Sequence, residues 1–581
     1  MPAISVSEHR CMLGCRGTEV THSFNKLFIL LALSSLSACG GSSQSDSDNQ
    51  NQNNASDNGE QVSNDTHAFN ISVEDGLDPL LTNKPDDSEH LSAGLATTNI
   101  IDNNAYSKAI PAIVETPQLD AVFKAGDHTF RGNHDGQGPL FNNTSCQGCH
   151  IKDGRGQVPA SIDEPMMSMF LRVGDNLGNV DPIYGDQIQV FGTVEGQSTA
   201  VLAKYRGALD EGLAYAEAYT WVEYETITGS FADGQSYELR KPIYKIKDLA
   251  YGEFMENVQF SPRVTPHVYG SGLLESIPQQ SLLAYEDPND NDKDGISGRA
   301  AFTTHPVTGE RQIARFGQKA VTGSVLQQIS GAYRGDMGIT NTINPDEPCT
   351  EAQEACIAQA ALENNKHHDG VDLNNVDLAQ VEFYNRTLAV PKRRGFEAST
   401  QTWQADILVG REQFYAAKCH ACHVPRHKTG VAPGSVLGDV DLVGLSESRT
   451  NITALEQQVI YPYTDLLLHD MGGSCRVTKE LADGQSCTQG QQCIYVQRCE
   501  GLADGRPEGD ATGTEWKTPA LWGLGLVQTV NPKATFLHDG RARTIQEAIL
   551  WHDGEAKASQ QAFINMDKVQ RSALLAFLGS L

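Results

Sequence analysis

The chain has 581 residues, 39% of them hydrophobic, and a net charge of −29. That length allows several domains, each with enough apolar content to build a core. So acidic a chain is a poor match for nucleic acid, whose phosphates need Lys and Arg; the charge suits solubility and steering toward a basic partner.

The first element is "KLFILLALSSLSAC", where Lys26 precedes an apolar run from Leu27 to Leu33 and small residues lead to Cys39. It reads as an export signal, too short to span a membrane. "LSAC" resembles a bacterial lipobox, which makes residues 1–38 a signal peptide and Cys39 the lipidated first residue. Residues 39–66, rich in Ser, Asn, Asp and Gln, form no core and are expected to be a disordered tether. The expected location is periplasmic, with only the lipid touching a membrane; Gly40 after the cysteine resembles outer-membrane sorting.

Two later segments look alike. "GPLFNNTSCQGCH" ends at His150 and "GREQFYAAKCHACH" ends at His423, with Phe141 and Phe414 at matching positions before the first cysteine. Each has a helical partner downstream: "DLAQVEFYNRTLAVP" from Asp377 and "DKVQRSALLAFLGSL" from Asp567. Between them, "IQVFGTVEG", "YTWVEYETI" and "ELRKPIYKIKDL" carry the β-branched and aromatic content of short strands. "DPNDNDKDGISGR" sets Asp290, Asp292, Asp294 and Gly295 at calcium-loop spacing, though Ala301 stands where the loop's glutamate belongs. The polar "PKRRGFEASTQTW" reads as a linker. Near the end, Thr544 and Glu547 form a capping-box pattern. It places His538 in a turn before a short helix and His552 at that helix's end, with Gly554 as the stop.

Cys146-Gln-Gly-Cys149-His150 and Cys419-His-Ala-Cys422-His423 are both C-x-x-C-H. In an exported chain this is the signature of c-type haem attachment: two thioether sulfurs and an adjacent histidine for the iron. His420 is a spacer expected to face solvent. Of the 13 cysteines, three lie in the leader (Cys11, Cys15, Cys39) and four in these motifs, leaving six for disulfides. Cys349 and Cys356 are the natural local pair; Cys475, Cys487, Cys493 and Cys499 allow three pairings. The expected fold is mainly α, with two cytochrome c-like haem domains: residues 67–395, carrying a mixed α/β insertion at about 160–370, and 396–581, carrying a cysteine-rich one. The expected cofactors are two covalently bound haem c groups and possible calcium at Asp290, Asp292 and Asp294.

Together with "SPRVTPHVYGSGLLESIP", "DGISGR", "GDMGIT", "YTDLLLHDMG" and "EWKTPALWGLG", these strings resemble the dihaem cytochrome c peroxidase superfamily, which includes the methylamine dehydrogenase maturation enzyme. More closely, they resemble its bacterial di-haem oxidoreductase branch, described as peroxidases and sometimes thiol oxidoreductases. The resemblance implies that His423 and His552 ligate the second iron, His552 taking the place of the Met or Tyr of relatives. It implies a second-sphere role for His538, bonding a propionate or backbone. At the first haem it implies Gln328 and Asp336 on the peroxide side, with Glu275 and Arg263 as rivals. A carboxylate there would shuttle the peroxide proton. Gln318 stands where the family has a Trp associated with electron transfer; Trp516 and Trp522 are possible substitutes. The first iron's sixth position stays open: Met166, Met167 and Met169 read better as core, and His128 and His134 precede the motif. The implied activity is peroxide reduction or ferryl-based substrate oxidation at the first haem, with electrons passing through the second. The implied partner is a small periplasmic cytochrome or copper protein, donor or acceptor. Alternatives are an electron-transfer cytochrome without enzymatic activity, or an oxidase of the maturation type acting on a protein.

Overall fold

The structure, a computed structural model, describes residues 84–134, 138–162, 164–192, 217–362, 370–437, 452–488 and 490–581. The export signal, the Cys39 site and the tether lie outside these residues. The described residues all belong to one compact unit. No helix among the described residues is long and apolar enough to cross a membrane.

Each half contains the same helix crossing. In the first, α1 (Pro117–Arg131) precedes the motif helix α2 (Cys146–Cys149). The next helices of note are α3 (Ser271–Glu275), α4 (Val325–Met337) and α5 (Asn375–Thr387), and α5 packs on α1. In the second half, α6 (Ala405–Ala416) precedes Cys419 and is crossed by the last helix of the chain. Before that last helix come α7 (Ile545–Leu550) and α8 (Lys557–Asn565); the last, α9, is Lys568–Ser580. Both crossings turn on a glycine. A methyl group on Gly126 would land in the carbonyl of Gln380, and one on Gly410 in that of Ala573. Only a residue without Cβ lets the backbones approach this closely.

The expectation of a mainly α protein is wrong. Helix makes up 29% and strand 22%, so the fold is mixed α/β. Strands β1 (Met169–Asp175), β2 (Tyr219–Ser230), β3 (Ser236–Lys247) and β4 (Val258–Val264) come from the insertion in the first half. The second half adds β5 (Leu468–Asp470), β6 (Gly473–Glu480), β7 (Ile494–Gly501) and β8 (Glu515–Lys517). The physical reason for the miss lies in the cysteine-rich segment. It is a strand pair, not a stapled loop, and it extends the β2–β3 hairpin into one antiparallel sheet of order β6-β7-β3-β2. Cys475 and Cys499 are direct cross-strand neighbours and are disulfide-bonded. Cys487–Cys493 closes the hairpin end and Cys349–Cys356 forms as expected.

Only the later part of the stretch read as a linker is solvated: Glu397 to Thr402 are exposed, but its start is not. Arg393 is buried with Arg411 on the carboxylate of Glu89, and the Tyr463 hydroxyl joins them. Buried charges persist only with such partners. The segment around Glu89 and the start of the second half are thereby fixed to each other.

Candidate haem centres

The first motif begins at Ser145, whose hydroxyl accepts from Gly148 N and caps α2. His150 follows the helix. Its Nδ1 donates to the Pro266 carbonyl at 2.7 Å, and β4 with the residues after it brings that carbonyl into place. Gly156 N bonds the Thr265 carbonyl, and Thr265 N bonds that of Ser168. At the second motif, His423 Nδ1 donates to the Tyr463 carbonyl at 3.1 Å. Tyr463 is positioned by the buried Glu89 cluster. His552 Nδ1 donates to the Ala548 carbonyl at 2.8 Å, one turn back in α7.

These three imidazoles therefore share one arrangement. Nδ1 carries the proton and is held by a backbone carbonyl, and among the described residues nothing hydrogen-bonds Nε2. That tautomer and fixed ring direction suit a metal-ligating histidine. Burial pushes His150 and His423 down to about 4 and lowers His552 as well, so all three are neutral at pH 7. His423 also responds to charge on His552, so the two rings are neighbours. Cys146, Cys149, Cys419 and Cys422 are free thiols, while the other six described cysteines are paired. Thiols left free by the fold, beside histidines with a free Nε2, fit covalent haem at both motifs.

A haem also brings two carboxylates. Among the described residues, Arg155 donates to the Thr535 and Leu537 carbonyls and to no acid, and Lys517 to the Thr518 carbonyl at 3.4 Å. Burial pushes Arg155 down to about 10 and Lys517 down to about 8. Both act on the half-buried His267, which in turn neighbours His150. Cations with no acidic partner beside a haem motif are the charge that propionates require.

The residues expected at the peroxide side separate. Asp336 lies beside the first motif: its charge is felt by Cys146 and Cys149, and its backbone carbonyl accepts from Asn142 and Asn143. Gln187 donates to its Oδ1 at 3.0 Å, and burial raises its pKa. Gln328 is exposed, and its Oε1 accepts from Thr322 at 2.8 Å. Glu275 is buried, paired with Arg386 at 2.6 Å and accepting from Val325 N at the start of α4. Arg263 bonds Ser261 and Glu508. Met166 and Met169 are core, Met167 is half-buried, and its carbonyl accepts from Cys149 Sγ. His128 is exposed, and His134 Nε2 contacts the Thr129 carbonyl.

His538 does not sit with His552. It stacks on Trp516 at 3.7 Å, its backbone carbonyl accepts from Val264 N, and its buried Nε2 has no hydrogen-bond partner. Gln318 donates to the Val264 carbonyl and accepts from Lys517 N, so Trp516 is one residue from that contact. Trp522 is buried against Gly270. His420, expected in solvent, is half-buried against Tyr415. In the acidic loop Asp290 and Asp292 group with Asp287, not Asp294, their oxygens within 4.8 Å of one another and close enough to share a cation. Asp294 instead accepts from Ile296 N. Sequence reading missed the carbonyls of Pro266, Tyr463 and Ala548, which carry no residue signature, and the cations Arg155 and Lys517.

A family model described as "Di-haem oxidoreductase, putative peroxidase" matches residues 112–489 and 491–581, and the chain belongs to that family. Among solved structures, a chain of Kuenenia stuttgartiensis hydrazine synthase pressurized with 20 bar xenon is similar over 76% of this chain and 93% of its own, at 13% identity and a TM-score of 0.24. No curated protein matches.

Proposed function

We propose that the chain is a peroxidase-like dihaem c oxidoreductase, reducing peroxide or oxidising a substrate at the first motif and passing electrons through the second. The observation that carries this is the asymmetry between the sites. The imidazole near His423, His552, has its Nδ1 held by the Ala548 carbonyl, whereas the imidazole near His150, His267, stacks on Tyr269 instead. Haem, when bound, would supply an iron that exchanges single electrons and can take peroxide. His150 and His423 would each offer it Nε2, and His552 would offer a second nitrogen near His423. Asp336 holds and returns the proton at Oδ2, since Gln187 occupies Oδ1. Arg155 and Lys517 hold the propionates. The partner remains a small electron-carrying protein drawn to an acidic surface, with the chain anchored in the periplasm through Cys39.

One observation favours an electron relay instead: Glu275 and Gln328 are both committed elsewhere, leaving Asp336 alone as an acid–base group. EPR and absorption spectra of the dihaem protein, before and after peroxide, separate the readings. The peroxidase reading expects one high-spin ferric signal that peroxide abolishes. Two low-spin haems in every redox state, inert to peroxide, would overturn it. Replacing Cys146 and Cys149, or Cys419 and Cys422, by Ala should each remove one of two haems in a pyridine haemochrome assay.

A further inference from the structure

"YTDLLLHDMG" places Asp465 and His469 in one string. In the structure His469 is buried between two carboxylates: Nε2 donates to Asp465 Oδ2 at 2.8 Å and Nδ1 donates to Glu555 Oε2 at 2.8 Å. Two donors require a doubly protonated ring. Burial opposes that charge, and the Asp465 carboxylate on Nε2 favours it. The ends of this triad reach the two segments that carry His423 and His552. Asp465 N donates to the Cys422 carbonyl at 3.1 Å, and Cys422 Sγ lies 3.5 Å from His469 Nδ1. Glu555 belongs to the turn straight after His552, and Ser297 Oγ and Asp470 N donate to its other oxygen. The same turn is docked by shape: Gly554, at φ +56°, packs so closely on Asp470 and Met471 that a Cβ would overlap them.

We infer that Asp465–His469–Glu555 is a brace, a set of positioning residues that locks the loop carrying His552 to the motif carrying His423. His552 follows a helix of six residues that ends at Leu550, and α7 alone fixes only its near side. Without the brace the following turn can swing, and His552 can leave the metal-facing position. Each charge-assisted bond is worth enough to change such an equilibrium about ten- to a hundredfold.

The inference rests on His552 being the second ligand, so the test carries a control for that. Spin state is read by EPR and absorption in the purified dihaem protein for wild type, His552→Ala, His469→Ala and Glu555→Gln, together with the rate at which added cyanide displaces the sixth ligand. The expected result is that His552→Ala converts one low-spin haem to high-spin. His469→Ala and Glu555→Gln should keep the ligand but speed cyanide binding at the second haem about tenfold or more. If His552→Ala changes the spectrum and the other two match wild type in both readouts, the brace is refuted and the ligand assignment stands. An unchanged His552→Ala spectrum removes both. Should His469→Ala fail to fold, Glu555→Gln decides, because it alters one charge at the end of the triad.

Discussion

His538 and His552 sit in the same His-Asp-Gly tripeptide but have different neighbours. His552 lies near His423, with its Nδ1 on the Ala548 carbonyl, while His538 stacks on Trp516. Burial holds His538 down to about 3. A pKa depressed on folding gives stability that is complete above the ordinary histidine pKa and is lost as pH falls toward the folded value. Between pH 7 and about pH 4.5, the wild-type chain should lose about 3 kcal/mol more than His538→Phe. Urea unfolding at both pH values checks this, and equal losses would rule it out. Trp516 itself lies 4.6 Å from Lys319 Nζ and 5.1 Å from the Arg263 guanidinium. Cations over an indole disfavour removing an electron from it, so Trp516 is a poor carrier of an electron between the two motifs. Trp516→Phe should leave the rate of electron exchange between the haems, followed by stopped flow, within about twofold, a change worth well under 1 kcal/mol.

At the scale of elements, the two-motif pattern made the paired helices legible. Asp567 and Gln570 form a full capping box, whereas at α7 only half of the expected one appears: Thr544 accepts from Glu547 N, but the Glu547 carboxylate turns to Arg543. The helix crossings were readable as helices but not as crossings, because a glycine inside a helical pattern gives no sign of what approaches it. Gly126→Ala and Gly410→Ala test the contact. Helix propensity alone would favour each by about 1 kcal/mol. Overpacking should reverse the sign, for a net loss of about 2 kcal/mol in denaturant unfolding. A stabilised variant at either position would mean that the backbones do not approach as described.

At the scale of the whole molecule, the candidate haem motifs were easy to find because C-x-x-C-H is contiguous. The sheet that joins the halves was not, since β3 and β7 lie far apart in sequence and their pairing leaves no local pattern. Disulfides compete with strands as a reading of cysteine-rich stretches, and here Cys475–Cys499 serves both. Its loop, a sequence separation of 24, should contribute about 3 kcal/mol by restricting the unfolded chain. A Cys475→Ser, Cys499→Ser double variant should lose about that much in chemical denaturation. Unchanged stability would show that the strand pairing alone holds the hairpin.

The shared sheet also imposes an order on synthesis. β3 pairs with β2 along its whole length and then waits for Tyr495–Arg498 to cover Ile243–Ile246. A chain emerging from its N-terminus carries that bare edge while the entire stretch from Asp248 to Ile494 is made. An uncovered strand edge recruits other strands. The first half is therefore at greatest risk of aggregation in the interval before the second arrives, and a chain truncated before β7 should depend on chaperones more than the full-length protein does.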